Sequence, residues 1–211
     1  IEAIVKDSSL TSGVDFGFAY WSAGASGFNR WHGDHKTGQG YSTPCNYYNC
    51  LKVPIYKGGA AQIAKMIRTV NPGGGTHLDS AMRIASRYYK NTTYSPIDKN
   101  LDCQNSYVIL IGDGDWFSHT HNRGLKIVKD IYKNNKIKTF AIAFGTGISA
   151  NGYRYFQDVA KAGGTGKSIV ATTGAALTAQ LKAKIGEIIA EKLSFTAPAI
   201  TATIEKGGSL Y

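Results

Sequence analysis

The stretch YVILIGDGDW, residues 107–116, decides how this chain is read. Val108, Ile109, Leu110 and Ile111 form an unbroken aliphatic run. A strand that is apolar at every position is buried on both faces, as in a parallel sheet covered by helices. The switch to Gly112-Asp113-Gly114-Asp115 marks its carboxyl end. In open α/β sheets, ligands bind at that end. Asp113 is the first polar side chain beyond the apolar run. Gly-Asp-Gly is also ordinary turn chemistry, so these residues alone leave turn and ligand site both open.

Downstream, residues 122–134 have helical spacing, with Leu125, Val128 and Ile131 or Tyr132 inward. Residues 139–144 are a second buried strand, ended by Gly145-Thr146-Gly147. A short helix over 153–162, a turn over 163–166, a short strand over 168–171 and a long helix over 174–193 follow. Upstream, Thr76 opens a helix over 76–89, with Asp79 three residues later as a capping box. Residues 60–70 form another helix, stopped by Asn71-Pro72-Gly73. VDFGFAYW, residues 14–21, alternates as a strand, and residues 51–55 form a short one. Strands alternating with helices predict an α/β fold: a doubly wound, mostly parallel sheet flanked by helices. Residues 14–21 and 51–55, joined without a helix, supply an antiparallel edge. Residues 22–50 are an elaborated loop insertion between them. Residues 1–193 read as one domain, and residues 194–211 as an exit segment toward a following domain.

With 211 residues and 43% hydrophobic content, one domain can bury a real core. No apolar run approaches the ~20 residues of a membrane span. The chain opens at Ile1-Glu2 without methionine, as a mature product or a piece of a longer one. Its formal net charge of +10 favours anionic partners. The charge is concentrated in the helical segments 126–138 and 161–192, which also suits a solvated face. No basic cluster interleaves with aromatics, which argues against specific nucleic-acid binding. Cys45 and Cys50 sit in a loop rich in Tyr, Asn, Gly and Pro that reads as exported surface. A short disulfide between them is the preferred reading over free thiols. Cys103 is left over, either buried and free or paired outside this chain.

Three motifs compete for chemistry. Residues 163–168, GGTGKS, look like a phosphate loop, but Lys161 stands where the pattern needs glycine, and the order is helix then strand. His119 and His121, with Asp113 and Asp115, could form a His/carboxylate metal centre for a metal-dependent hydrolase. The alternative is a polar surface loop. Asp7, Ser9 and Thr11 read as Asp-x-Ser-x-Thr, a pattern like a cation-binding strand end.

Taken together, four segments resemble a von Willebrand factor type A (vWA) domain. They are Gly74-Gly75-Thr76-His77-Leu78-Asp79-Ser80-Ala81-Met82, Val108-Ile109-Leu110-Ile111-Gly112-Asp113-Gly114, residues 139–145 (TFAIAFG) and residues 156–164 (FQDVAKAGG). Residues 16–22 (FGFAYWS), the tyrosine-rich cysteine insertion and residues 195–199 (FTAPA) look like the pilus-tip adhesins of the PilY/PilC type, associated with type IV pili.

The resemblance implies an exported, non-enzymatic adhesion module at a pilus tip or cell surface. It implies a protein or host-surface ligand, and minor pilins or other pilus components as partners. It also implies a metal-ion-dependent adhesion site holding Mg²⁺, Mn²⁺ or Ca²⁺ through Thr76 and Asp113. Hydroxyl and carboxylate oxygens suit such hard cations, and an incomplete shell accepts a partner carboxylate.

The family's remaining element, Asp-x-Ser-x-Ser, closes a first strand and precedes a full helix. Only Ser12 and Gly13 separate Thr11 from Val14. Asp7, Ser9 and Thr11 are therefore expected to be a decoy, with residues 1–9 the tail of that helix. The first, central strand would lie upstream of Ile1, which leaves the adhesion site incomplete in this chain. By the family's strand order the gap falls between residues 14–21 and the strand at 107. An upstream segment or a partner strand is expected to fill it. Residues 199–204 (AITATI) are a poorer donor, because their alternation suits an exposed strand. Two other readings remain, the hydrolase and a purely structural fragment of a surface assembly.

Overall fold

A computed structural model describes residues 1–21, 51–70, 77–93, 95–101 and 104–194. In chain order its elements are α1 (Glu2–Val5), α2 (Ser8–Thr11), β1 (Phe16–Ala19), β2 (Leu51–Tyr56) and α3 (Gly59–Met66), which runs into a 3-10 turn at Ile67–Thr69. There follow α4 (Leu78–Tyr89), β3 (Tyr107–Gly112), α5 (Ser118–Asn135), β4 (Lys138–Phe144), α6 (Ala150–Ala162), β5 (Ile169–Ala171) and α7 (Gly174–Ser194).

Strands β3, β4 and β5 form a three-stranded parallel sheet in that order. The parallel register runs from Tyr107 opposite Lys138 to Gly112 opposite Ala143. Helices cover both faces, and β4 shows why. Ala141 and Ala143 point into a core with Leu78 and Met82 of α4, Val128 and Ile131 of α5, and Phe156 of α6. Ile142, between them, points into a second core with Leu177, Leu181 and Ile185 of α7 and Ile4 and Leu10 of the short helices. The strand period of two thus sends alternate apolar residues to opposite helical layers. The chain is mixed α/β, with a parallel sheet flanked by helices. Strands β1 and β2 pair antiparallel as a separate two-stranded sheet. Pro54, which cannot donate to a ladder, lies in β2, whose only described partner is β1.

Several boundaries differ from the sequence expectation. Helix α5 begins at Ser118, so His119 and His121 lie in its first turn and not in a loop. Its start carries no side-chain cap on Phe117. Instead the Thr120 hydroxyl donates to the Phe117 carbonyl and accepts the Leu78 amide of α4, at 2.7 and 3.2 Å. Nothing in the spacing of residues 118–121 announces that tertiary bond. The residue capping α4 is His77, and the Asp79 carboxylate pairs with Arg123 and Arg83 across and along the helices. Thr76, the other half of the expected Thr76–Asp79 capping box, lies outside the described residues. Helix α6 starts at Ala150 because Ser149 caps it, accepting from the Gly152 amide. Residues 1–11 are two single turns, not one helix tail.

One difference bears on function. Strand β3 is apolar throughout, yet only Leu110 is fully buried, whereas Ala141, Ile142 and Ala143 of β4 are 0% exposed. The reason is that, among the described residues, β3 has a neighbour only on its β4 side. Between β3 and the β1–β2 hairpin lies a cleft of about 160 Å³, lined by Phe18, Trp21, Ile55, Met82, Tyr88 and Val108 among others. The indole N–H of Trp21 is buried there and has no hydrogen-bond partner among the described residues.

Candidate functional site

The loop after β3 carries Asp113 and Asp115, and the first turn of α5 carries His119 and His121; the structure separates these four candidates. Asp113 is exposed and, among the described residues, its carboxylate makes no hydrogen bond or ion pair. Asp115, two residues on, is engaged. It accepts the Ser149 amide at 3.0 Å and the Ser149 hydroxyl. That hydroxyl in turn accepts the Gly152 amide at 3.1 Å. The pair ties the β3 loop to the amino-terminus of α6, where a carboxylate is also favoured by the helix dipole. A side chain at Gly152 would collide with this carboxylate.

The two histidines diverge as well. His121 is 7% exposed, wedged between α5 and α6. Its Nδ1 accepts the Trp116 indole N–H at 3.1 Å, which leaves the proton on Nε2, facing Asp158 Oδ2 at 3.2 Å. Its ring stacks on Tyr155 at 4.0 Å. Both nitrogens are thus committed away from Asp113. Burial pushes the His121 pKa below its ordinary 6.5, with Asp158 pulling more weakly upward. Protonating Nδ1 would also set it against the Trp116 donor.

A folded chain that binds this proton less readily than the unfolded chain loses stability on acidification. The contribution is full above the unfolded pKa and lost as pH falls through the folded one. Between about pH 7.5 and about pH 5.5 the urea midpoint of the parent is expected to drop, and that of His121→Gln to drop less. Equal drops would show that His121 carries none of the acid sensitivity.

His119 faces the other way. Its ring lies 5.5 Å from that of His77 and 5.8 Å from that of Phe117, and His77 and Phe117 stand 5.2 Å apart. The three rings sit where α4 and α5 begin side by side. Phe117 is 49% exposed. This grouping was missed in the sequence, because His77 lies 42 residues before His119 and neither has helical spacing to another ligand.

The remaining candidates resolve as follows. Asp7 caps α2, accepting the Ser9 amide and hydroxyl at 3.1 and 2.6 Å and the Lys182 ammonium at 2.8 Å. The Thr11 hydroxyl donates to the Asp7 carbonyl. The Lys182 and Ser9 bonds hold the Asp7 carboxyl at about 2, well below its usual range. The set is a local cap beside α7. Residues 163–168 link α6 to β5, with Gly164 and Gly166 at φ of 76 and 77°, a turn and not a phosphate cradle. Thr76, Cys45, Cys50 and Cys103 lie outside the described residues, as do His32 and His35. Among the described residues no group of three His, Cys, Asp or Glu side chains is placed to hold a metal ion. Nor, among them, is any helix long and apolar enough to cross a membrane.

Compared with protein-family models and with curated proteins, the sequence finds no match.

Proposed function

We propose that this chain is a non-enzymatic binding module of the vWA kind, from an exported adhesin of a pilus tip or cell surface. It would take a protein or host-surface ligand through a hard divalent cation at the carboxyl end of β3. The observation that carries the reading is Asp113. It is exposed at the end of a parallel strand and engages no described residue, while its neighbour Asp115 is tied into the fold. A free carboxylate in that position suits Mg²⁺, Mn²⁺ or Ca²⁺. Thr76, two residues before α4 in the sequence, is the second protein ligand by the resemblance. A first-strand element would add the rest, entering the cleft between β1 and β3 as an upstream segment or a partner strand.

The hydrolase reading asks for Asp113, Asp115, His119 and His121 together. Asp115 and His121 already have other partners, so it would rest on Asp113 and His119 alone. The purely structural reading draws on the same open cleft and differs in having no working cation site.

The test is calorimetric titration with Mg²⁺, Mn²⁺ and Ca²⁺ on a chain extended by a strand ending in Asp-x-Ser-x-Ser. Asp113→Ala is expected to weaken cation binding at least about 100-fold while leaving the melting curve in place. An exposed carboxylate contributes little packing, so the fold should survive its loss. Unchanged affinity in the mutant would remove Asp113 from the site. No cation binding by the parent would favour the structural reading.

A further inference from the structure

The rings of His77 and His119 are the feature that the proposed hard-cation site does not use. They come from adjacent helix starts, 5.5 Å apart and inclined at 82°. Among the described residues neither imidazole makes a hydrogen bond or ion pair, which leaves their nitrogens open to a ligand. Two imidazoles on one tetrahedral ion, with metal–nitrogen bonds of about 2.0–2.1 Å, hold their ring centres about 5 Å apart. The spacing in the chain is close to that, and the inclined ring planes leave both edges free to turn toward a common point.

Each ring is positioned by something other than a ligand. His77 is the residue before α4, fixed because the Leu78 amide donates to Thr120 of α5. His119 is the second residue of α5, one turn before Arg123, which grips Asp79 of α4. The two helix starts are therefore stitched together twice, and the stitching carries the imidazoles with it. Phe117 packs against both rings from the α5 side and limits their freedom. The positive ends of two helices oppose a cation here. The ligands must then be neutral and soft enough to hold a metal by bond formation and not by charge. Imidazole meets that condition for Zn²⁺, Ni²⁺ and Cu²⁺ and does not for Mg²⁺ or Ca²⁺.

We propose that His77 and His119 form a two-imidazole site for a borderline transition cation of the Zn²⁺ class, separate from any hard-cation site at Asp113. Two protein ligands leave the remaining positions to water, so the ion is exchangeable and open to a further donor.

The probe is Ni²⁺, titrated calorimetrically into the full chain, because it is less drawn than Zn²⁺ to the three cysteines. His77→Asn and His119→Asn are each expected to weaken binding at least about tenfold. Asparagine is a favoured residue at a helix start, so the first of these should fold. His32→Asn with His35→Asn is expected to leave the His77/His119 binding step in place. Paramagnetic broadening by Ni²⁺ should fall on the ring signals of His77 and His119 and spare buried His121. Excess Mg²⁺ should not displace the ion, which keeps this result distinct from the fate of the Asp113 reading. Parent-like binding in the His77→Asn/His119→Asn double variant would overturn the proposal. So would binding that disappears with His32 and His35, or broadening confined to other residues.

Discussion

Replacing Phe156 with alanine is expected to destabilise the chain by about 3–5 kcal/mol, the upper range for a core aromatic. The ring is 0% exposed and stands 4.5 Å from Trp116, edge to face. Its far edge occupies the space that a side chain at Gly112 would need, 2.9 Å from where that Cβ would lie. The cavity left by alanine is bounded by the end of β3, by α6 and by the Trp116 indole. All three are held from elsewhere: β3 by its ladder to β4, α6 by Ser149 and Asp115, and Trp116 by His121. Such walls cannot collapse, so the cavity cost is felt in full. Urea melts should show a lower midpoint with an unchanged slope. Because Trp116 rests on this ring, a shift below about 1 kcal/mol would mean that the β3 loop repacks freely.

How much of this could be read in the sequence depends on the range of the interactions involved. Strands β3 and β4 were legible because unbroken runs such as Val108 to Ile111 are local signals of burial. The order of helices and strands, and the antiparallel hairpin of β1 and β2, followed from the same kind of pattern. The first turns of α5 and α6 were not legible. They are fixed by Thr120, which bridges to Leu78, and by Asp115, which reaches Ser149 across 34 residues. A hydrogen bond between residues distant in sequence leaves no periodicity.

The site was legible to a similar depth. Asp113 stood out because it ends an apolar strand. The text of the chain could not divide Asp113 from Asp115, since both follow glycine in the same loop. Only the partner on α6 does so. His121 looked like a ligand because it alternates with His119. On a helix, however, residues two apart point to different faces, so one imidazole turned to Asp158 and the other to His77. Reading residues 118–121 as a loop hid that divergence.

Supplying a strand to the cleft between β1 and β3 is expected to raise the melting temperature by about 10–20 °C, equivalent to about 5 kcal/mol for a chain of this size. The apolar row of β3 is half-buried on an edge that no described strand pairs, and β1 and β2 form a separate sheet. An inserted strand would pair with backbone groups on both sides, each worth about 0.5–1.5 kcal/mol net. It would also bury side chains worth about 1.5–3 kcal/mol apiece. Ordering the strand costs about 1–2 kcal/mol per residue, which leaves a net gain of the size stated. Trp21, whose indole N–H is buried beside the cleft without a partner among the described residues, would gain an acceptor. A peptide of alternating valine and threonine, with lysines at its ends for solubility, serves as the probe. It should raise the melting temperature, protect the amides of Val108 and Leu110 from exchange, and shift the Trp21 fluorescence. The same peptide with a central proline should do none of this, because proline cannot complete a ladder between two strands. Deleting residues 195–211 separates the remaining occupant. If the deletion lowers stability and exposes the β3 amides by itself, the chain's own tail fills the cleft. If the deletion is silent and the valine–threonine peptide protects β3, the cleft awaits a strand from elsewhere, as the proposed binding module requires. Protection absent in both cases would mean that the two sheets close on each other in solution, and the proposed central strand would have no place to enter.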